Sequence, residues 1–380
     1  MSQVNKTNIN YNCKFFKGTF PCEYNKKFGL ICDKCKYFSV FNKRILIIKL
    51  SAIGDVLRTT FILPSLKRKY KNSSITWITN HEALPIIKNN KYINNIYTKE
   101  YYKNYILPVE NYDIAINLDN EYISCSLLYQ TKSKNKYGFS LNEEGKIYPV
   151  NSNARKWLEM ACFDQIKKSN KLFYQDIIAE LCEIKEYKRN PLFFFDNEEK
   201  IFKNKIKKKY HISKRDIIIG IYPGSGKKWI SKRWNIKNYI SLVELIIKNT
   251  NDLKIFIICG IDEQDLFNEI IKLKSDRIII PEVIKEIRKL AVYLSLCNLL
   301  VTGDTVSLHF ANAFSTNTVA LIGPTSPAEL YLASGKIFRP KDRCECFYES
   351  YCKLERHCLD SITPQIIFNN IAKYLKILSR

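Results

Sequence analysis

The chain has 380 residues, 46% of them hydrophobic, with 24 Tyr and 21 Phe, which excludes a disordered chain and leaves room for two domains of ordinary size. A formal charge of +24 exceeds what solubility needs and favours anionic partners such as nucleotide sugars, lipid phosphates or nucleic acid, against the plainer reading of a solvated lysine-rich surface. The opening "MSQVNKTNINYN" lacks the apolar centre of a signal peptide and no apolar run reaches bilayer length, so a soluble cytoplasmic protein is expected, with peripheral contact to an anionic membrane left open.

Thirteen cysteines without an export signal point to metal rather than to disulfides. The first group, Cys13, Cys22, Cys32 and Cys35, lies in a segment (1–43) with little core of its own and ends in a Cys-x2-Cys half-site. From Arg44 the pattern changes. "RILIIKL" reads as a strand covered on both faces, followed by an amphipathic stretch from Asp55 to Tyr70, the strand "SITWIT", a short helix around "ALPIIKNN" and the strand "YDIAINL". Residues 44–195 are thereby expected to form an α/β domain, helical from about 150 to 190, and in two-domain folds of this kind the segment "EYISCSLLYQTKSKNKYGFS" is where a variable loop would carry the acceptor site. The lysine-rich run Lys203 to Arg215 reads as a linker. A second α/β series occupies 214–340: "DIIIGIYPGSG", "NIKNYISLVELIIKN", "KIFIICG", "RIII", "IKEIRKLAVYLSLC", "NLLVTGD", "VSLHFANAF" and "TVALIG". The tail (341–380) carries Cys344, Cys346, Cys352 and Cys358, with His357 as a spare ligand, and closes on a helix with Thr363 as N-cap and Pro364 at its first position. Two doubly wound domains in tandem make their shared cleft the default binding site.

Three segments could carry chemistry. Gly54 and Asp55 stand where the first strand turns into a helix; the glycine permits a tight turn, and the carboxylate reads as a cap or as a base facing the cleft. "YPGSGKKWISKRW" ends a strand in Gly224, Ser225 and Gly226 and follows it with Lys227, Lys228, Lys232 and Arg233, a turn suited to a diphosphate though not a Walker loop. "VTGDTVSLHF" opens a helix at Gly303, Asp304 and Thr305, so that amides and the Thr305 hydroxyl face an anion while Asp304 caps, with His309 one turn along.

Together "ILIIKLSAIGDVLRTTFILPSLKRKY", "YPGSGKKWISKRWNIKNY" and "NLLVTGDTVSLHFANAFSTNTVALIGPTSP" resemble the signature segments of glycosyltransferase family 9, the ADP-heptose:lipopolysaccharide heptosyltransferases and their relatives. The resemblance implies the GT-B architecture of two Rossmann-like domains around a cleft. It also implies an inverting transfer of a heptose or related sugar from a nucleotide-diphosphate donor to a hydroxyl of a lipid-linked glycan or a protein, with no cofactor for the chemistry. On this resemblance Asp55 matches the general base, Lys232 the lysine on the donor diphosphate, and Gly303, Asp304, Thr305 and His309 the donor-binding helix start. Gly54 and Ser225 fall in the same motifs, and Glu263 in "ICGIDE" matches, within a residue of register, an acidic group that binds the ribose. Where relatives often carry "NDTG" this chain has "GDTV", which leaves the donor open.

Neither cysteine group lies in these motifs, so zinc or iron held there is assigned a structural or partner-binding role; reduced buried thiols are the plainer reading, and ligands shared between the two ends are a third. Two other functions compete: a basic nucleic-acid-binding protein, disfavoured because no ordered array of aromatic and basic residues supports it, and a non-catalytic sugar-nucleotide-binding relative, against which the intact Asp55 and Lys232 argue.

Overall fold

The computed structural model describes residues 8–226, 229–251, 253–260, 268–273, 275–340, 346–352, 355 and 357–378. The first sheet holds β1 (Lys43–Ile48), β2 (Ser73–Thr79), β3 (Asn95–Thr98), β4 (Asn111–Asn117), β5 (Lys132–Leu141) and β6 (Ile147–Pro149) in the order β3-β2-β1-β4-β5-β6, parallel except for β6. The run "RILIIKL" does not alternate because both its faces are covered: Ile45, Leu46, Ile47 and Ile48 are all fully buried. Helices α1 (Ile53–Thr59) and α2 (Leu63–Lys69) return from β1 to β2. The second sheet holds β7 (Ile217–Tyr222), β8 (Leu253–Ile257), β9 (Ile278–Ile279), β10 (Leu299–Gly303), β11 (Asn317–Leu321) and β12 (Gly335–Phe338) in the order β12-β11-β10-β7-β8-β9.

Counted from its own first strand, each sheet has the same order. Each therefore reverses direction beside that strand, and the loops leaving β1 and β4, or β7 and β10, splay apart at the carboxyl edge to form a crevice. The two α/β domains of a GT-B fold were legible in the sequence.

Two segments differ from expectation. The stretch taken for a variable loop is helix α3 (Tyr122–Gln130) and strand β5, whose first half is polar because it is largely exposed. The lysine run taken for a linker begins inside helix α7 (Asn197–Lys209). Its start is a capping box, with Asp196 and Glu199 each accepting from the other's backbone N–H, and Lys207, Lys208 and Lys209 sit at its negative end. Between the sheets lie α4 (Ser152–Cys162), α5 (Asp164–Ser169) and α6 (Tyr174–Leu181). The tail is part of the second core. Helix α11 begins at Pro364 and runs to Leu378, and Ile362, Ile367, Phe368 and Ile371 pack with Tyr239, Leu242 and Val243 of α8 (Ile236–Asn249).

One apolar core runs from the first domain into the second. Phe193 meets Phe310 edge-on at 5.1 Å, and Phe195 stacks on Phe314 at 5.5 Å, both partners lying on α10 (Val306–Phe314). From α9 (Ile287–Leu294), Arg288 pairs with Glu199 and donates to the Pro85 carbonyl at 2.6 Å, which ties the second domain to the first. Helices α1 and α10 come so close that a Cβ on Gly54 would stand 2.8 Å from His309 Cδ2. Gly54 is absent from the positive-φ positions, so close approach, and not the tight turn expected from sequence, is what requires glycine here. Burial and the neighbouring Arg58 guanidinium push the His309 imidazole down to about 4, so it is neutral at pH 7.

Two outcomes follow from this contact. Gly54→Ala should destabilise by about 1–2 kcal/mol net, the overpacking cost exceeding the helix-propensity gain; urea unfolding checks it, and a neutral or stabilised variant contradicts it. The His309 value is depressed on folding, so its contribution is whole above pH 6.5 and is lost as pH falls toward 4, by up to about 3 kcal/mol. Unfolding free energies at pH 7 and pH 4.5 should therefore converge more in His309→Gln than in the wild type, and equal slopes would refute the assignment.

Candidate functional site

The carboxyl edges of both sheets open into one cavity of about 540 Å³, lined from the first domain by Gly54, Asp55, Arg58, Trp157 and Lys167 and from the second by Ser225, Trp229, Lys232, Asp304, Thr305, His309, Thr325, Ser326, Glu329 and Tyr348. On the first side β1 is followed directly by Lys49, which is 4% exposed and pairs with Asp119 from the loop after β4. Asp119 also accepts from the Leu50 N–H at 2.5 Å. Burial works against the Lys49 ammonium, but the Asp119 carboxylate overrides it and holds the group charged.

Lys49 in turn stands 3.9 Å from Asp55 Oδ2, longer than a hydrogen bond, while Arg58 Nη2 takes Asp55 Oδ1 at 2.9 Å. Burial would raise the Asp55 carboxyl; Arg58 and then Lys49 more than offset it and hold it below the ordinary carboxylate range. Asp55 is thus ionised and lines the cavity, with Oδ1 hydrogen-bonded to Arg58 and Oδ2 within ion-pair distance of Lys49 but beyond hydrogen-bond length. It is not the helix cap expected from sequence: the N-cap of α1 is Ala52, without a side-chain bond. Arg58 lies flat on Tyr174 at 3.5 Å, and its buried Nε has no protein partner.

Across the cavity Lys232 pairs with Asp304 at 2.7 Å and sits over the Trp229 ring at 4.8 Å. Burial would raise the Asp304 carboxyl, and Lys232 brings it below its ordinary range. This corrects the expected cap: the residue before α10 is Thr305, its side chain makes no cap bond, and Asp304 is committed to Lys232. The Thr305 hydroxyl is held by Ser307 at 2.6 Å, and Ser307 by Thr302 at 2.6 Å, so the helix start is braced; the Leu308 N–H donates to the Thr305 carbonyl at 3.1 Å. Ser225 donates to the Trp229 carbonyl at 2.9 Å and accepts from Arg233 at 3.0 Å, which shapes the turn that carries Lys232. Gly303, the last residue of β10, is buried; a Cβ there would stand 3.3 Å from the Lys232 carbonyl, so it admits the turn and does not line the cavity. Lys227, Lys228 and Glu263 lie outside the described residues.

Several residues of the site were not expected. Lys49, Arg58, Asp119, Lys167, Glu329 and Tyr348 stand outside the quoted roles, although Arg58 at three residues from Asp55 was available as a helical pair. Glu329 is 7% exposed and accepts from the Tyr348 hydroxyl at 3.1 Å; burial raises its carboxyl above the ordinary range, partly countered by Lys167 and Arg58.

None of the described cysteines lines this cavity. Cys346, Cys352 and Cys358 bring their sulfurs within 4.8 Å of one another, the one such set among the described residues; Cys344 lies outside those residues. His357 accepts from the Leu359 N–H at 3.3 Å and is not in the set. Cys13, Cys22, Cys32 and Cys35 line a separate aromatic cavity of about 330 Å³ without three of their sulfurs coming that close. Among the described residues no helix is long and apolar enough to cross a membrane.

Comparison with known proteins agrees with this architecture. The chain is 24% identical over 336 residues to lipooligosaccharide heptosyltransferase 2 of Campylobacter jejuni, covering 85% of this chain and 96% of that one. It superposes on a glycosyltransferase of family 9 from Veillonella parvula with a TM-score of 0.69 at 17% identity (88% and 97% of the two chains). It does so on ADP-heptose lipopolysaccharide heptosyltransferase II of E. coli with 0.61 at 18% (89% and 100%). A more distant likeness, TM-score 0.53 at 9% identity over 89% of this chain and 77% of the other, is to TibC, an iron-containing dodecameric glycosyltransferase of enterotoxigenic E. coli. The profile of glycosyltransferase family 9 (heptosyltransferase) matches residues 106–356, about two thirds of the sequence, and the chain belongs to that family.

Proposed function

We propose that the protein transfers a heptose, or a closely related sugar, from ADP-heptose to a hydroxyl of a lipopolysaccharide-type glycan or of a protein, with inversion at the anomeric carbon. The observation that carries this reading is the meeting, in one cavity, of the ionised Asp55 carboxylate from the first domain and, from the second, a lysine beside a helix N-terminus. The acceptor hydroxyl gives its proton to Asp55 Oδ2 as its oxygen bonds to the anomeric carbon, and the bond from that carbon to the diphosphate oxygen breaks. Charge then develops on the departing ADP, where Lys232 and the first amides of α10 stabilise it. Lys232 stays aligned because Asp304 holds it, and the diphosphate shares that ammonium. A depressed carboxyl is a weak base for a free alcohol, but the acceptor oxygen becomes acidic as it bonds to carbon, so late proton transfer suits this Asp55.

The sulfur set of the tail has the donor chemistry for zinc or iron: three thiols, two of them buried, already converging. Cys346, Cys352 and Cys358 would hold the ion, and its contribution would be to cross-link the tail, since the set stands outside the catalytic cavity. The iron of TibC supports iron as one of the two choices. The N-terminal cysteines would need rearrangement to bind metal. The basic surface, with Tyr101, Tyr105 and Val109 exposed among lysines of the first domain, supports peripheral contact with an anionic membrane on the cytoplasmic side.

Asp55→Asn should lower kcat for transfer from ADP-heptose by about 10²–10⁴-fold with donor binding retained; a wild type that neither binds nor consumes ADP-heptose would sink the reading. The acid limb of kcat/KM should lie below the ordinary aspartate range, because Asp55 must be ionised, and Arg58→Gln should move that limb to higher pH. An unmoved limb would remove Asp55 as the titrating base. Elemental analysis of protein purified anaerobically should find zinc or iron at about one per chain and find it lost in Cys352→Ser. Metal-free protein whose tail thiols react at once with a thiol reagent would count against the tail site.

A further inference from the structure

The tail loop between Cys346 and Cys352 reaches into the cleft. It is pinned to the second domain on three sides: the Tyr348 N–H donates to the Pro324 carbonyl at 2.9 Å, the Ser231 N–H to the Ser350 carbonyl at 3.0 Å, and the Ser231 hydroxyl to the Glu349 carbonyl at 2.7 Å. Ser231 is fully buried and directly precedes Lys232, so the loop and the diphosphate turn are one packed unit. Cys346, also buried, fixes the near end of the loop in the sulfur set. Tyr348 itself holds a φ of +56°, a left-handed conformation uncommon for a large side chain, which its contacts must offset.

Those contacts are of two kinds. The hydroxyl reaches Glu329 within the cavity, and the ring carries the ammonium of Lys167 at 3.5 Å from its centroid. Beside it Lys168 stands 4.9 Å from the centroid of Phe347, which packs edge-on against Tyr348 at 4.7 Å. Lys167 and Lys168 belong to α5 of the first domain, whereas Phe347 and Tyr348 belong to the tail of the second. Two cations from one domain therefore rest on two adjacent rings of the other at the mouth of the cavity. Lys167 is half-buried there, where water competes less for its charge.

We propose that Lys167 and Tyr348 form a latch that closes the two domains over a bound donor, with the cysteine-bearing tail serving as the rigid mount of the tyrosine. Both are positioning residues: they hold the Asp55 side against the Lys232 side and keep water from the donor. The latch makes the tail part of the catalytic apparatus without placing any sulfur in the chemistry. Its consequences for turnover rest on the transferase reading above, but its existence does not.

Hydrogen exchange on the ligand-free chain tests the contact directly. In Lys167→Ala, segments 164–169 and 346–350 should lose protection together, while the exposed Lys171→Ala leaves both unchanged. Tyr348→Phe keeps the ring and should retain wild-type protection of 164–169, whereas Tyr348→Ala should match Lys167→Ala. Loss confined to 164–169, or Tyr348→Ala behaving as the wild type there, overturns the latch. The second readout uses ADP-heptose: Lys167→Ala should raise the donor KM about tenfold, change kcat less, and increase donor hydrolysis relative to transfer. Wild-type kinetics in that variant also overturn the latch. If the wild type ignores ADP-heptose while the coupled exchange persists, the transferase reading fails and the latch stands.

Discussion

Two carboxylates, Asp55 and Asp304, line the same cavity, one from each domain, and each would be costly there without a cation. The chain meets that constraint twice. Arg58 and Lys49 flank Asp55, and Lys232 pairs with Asp304. The cations are themselves held: Arg58 by the Tyr174 ring, Lys49 by Asp119. The result is a site whose charges are held by protein partners without any ligand, an arrangement that would leave little reorganisation for a reaction in which charge moves across the cavity.

The topology explains why these residues meet. In each sheet the reversal beside the first strand sends the loops after the first and fourth strands apart, and every charged partner named above comes from such a loop or from the helix or turn that follows it. Lys49 and Asp119 leave β1 and β4; the Lys232 turn and Asp304 leave β7 and β10. Bringing the two crevices face to face then depends on helix α1 lying against α10, which a side chain at position 54 would obstruct. The same glycine that looked like a turn residue is the contact point of the domains.

That difference marks how far the sequence could be read. Strands such as "RILIIKL" were legible because full burial removes alternation, and the three motif segments were legible because they stand at the carboxyl ends of strands. Strand β5 was not, since a strand exposed along half its length has no reason to look apolar. Asp55 was read as a cap or a base and Asp304 as a cap, because a carboxylate at a helix start carries the same local signature whether it bonds the backbone or a cation, Arg58 for Asp55 and Lys232 for Asp304. Lys49, Asp119, Glu329 and Tyr348 act through partners 70, 70, 19 and 19 residues away, a separation at which no local pattern reports a contact.

The cysteine tail shows the same limit from the other side. Its spacing pointed to metal, and spacing alone made it an appendage. The structure puts its helix in the core of the second sheet, through Ile367, Phe368 and Ile371, and its loop beside the turn that carries Lys232, through Ser231. A segment that supplied only a detachable metal knot would not need both attachments. On the far side of the loop the chain enters apolar packing through Leu359 and Ile362, and the loop itself is hydrogen-bonded to Pro324 and Ser231, so a tyrosine in a left-handed conformation can be held there. Those bonds set the Tyr348 ring as a wall of the cleft, and the Lys167 ammonium of the first domain rests on it.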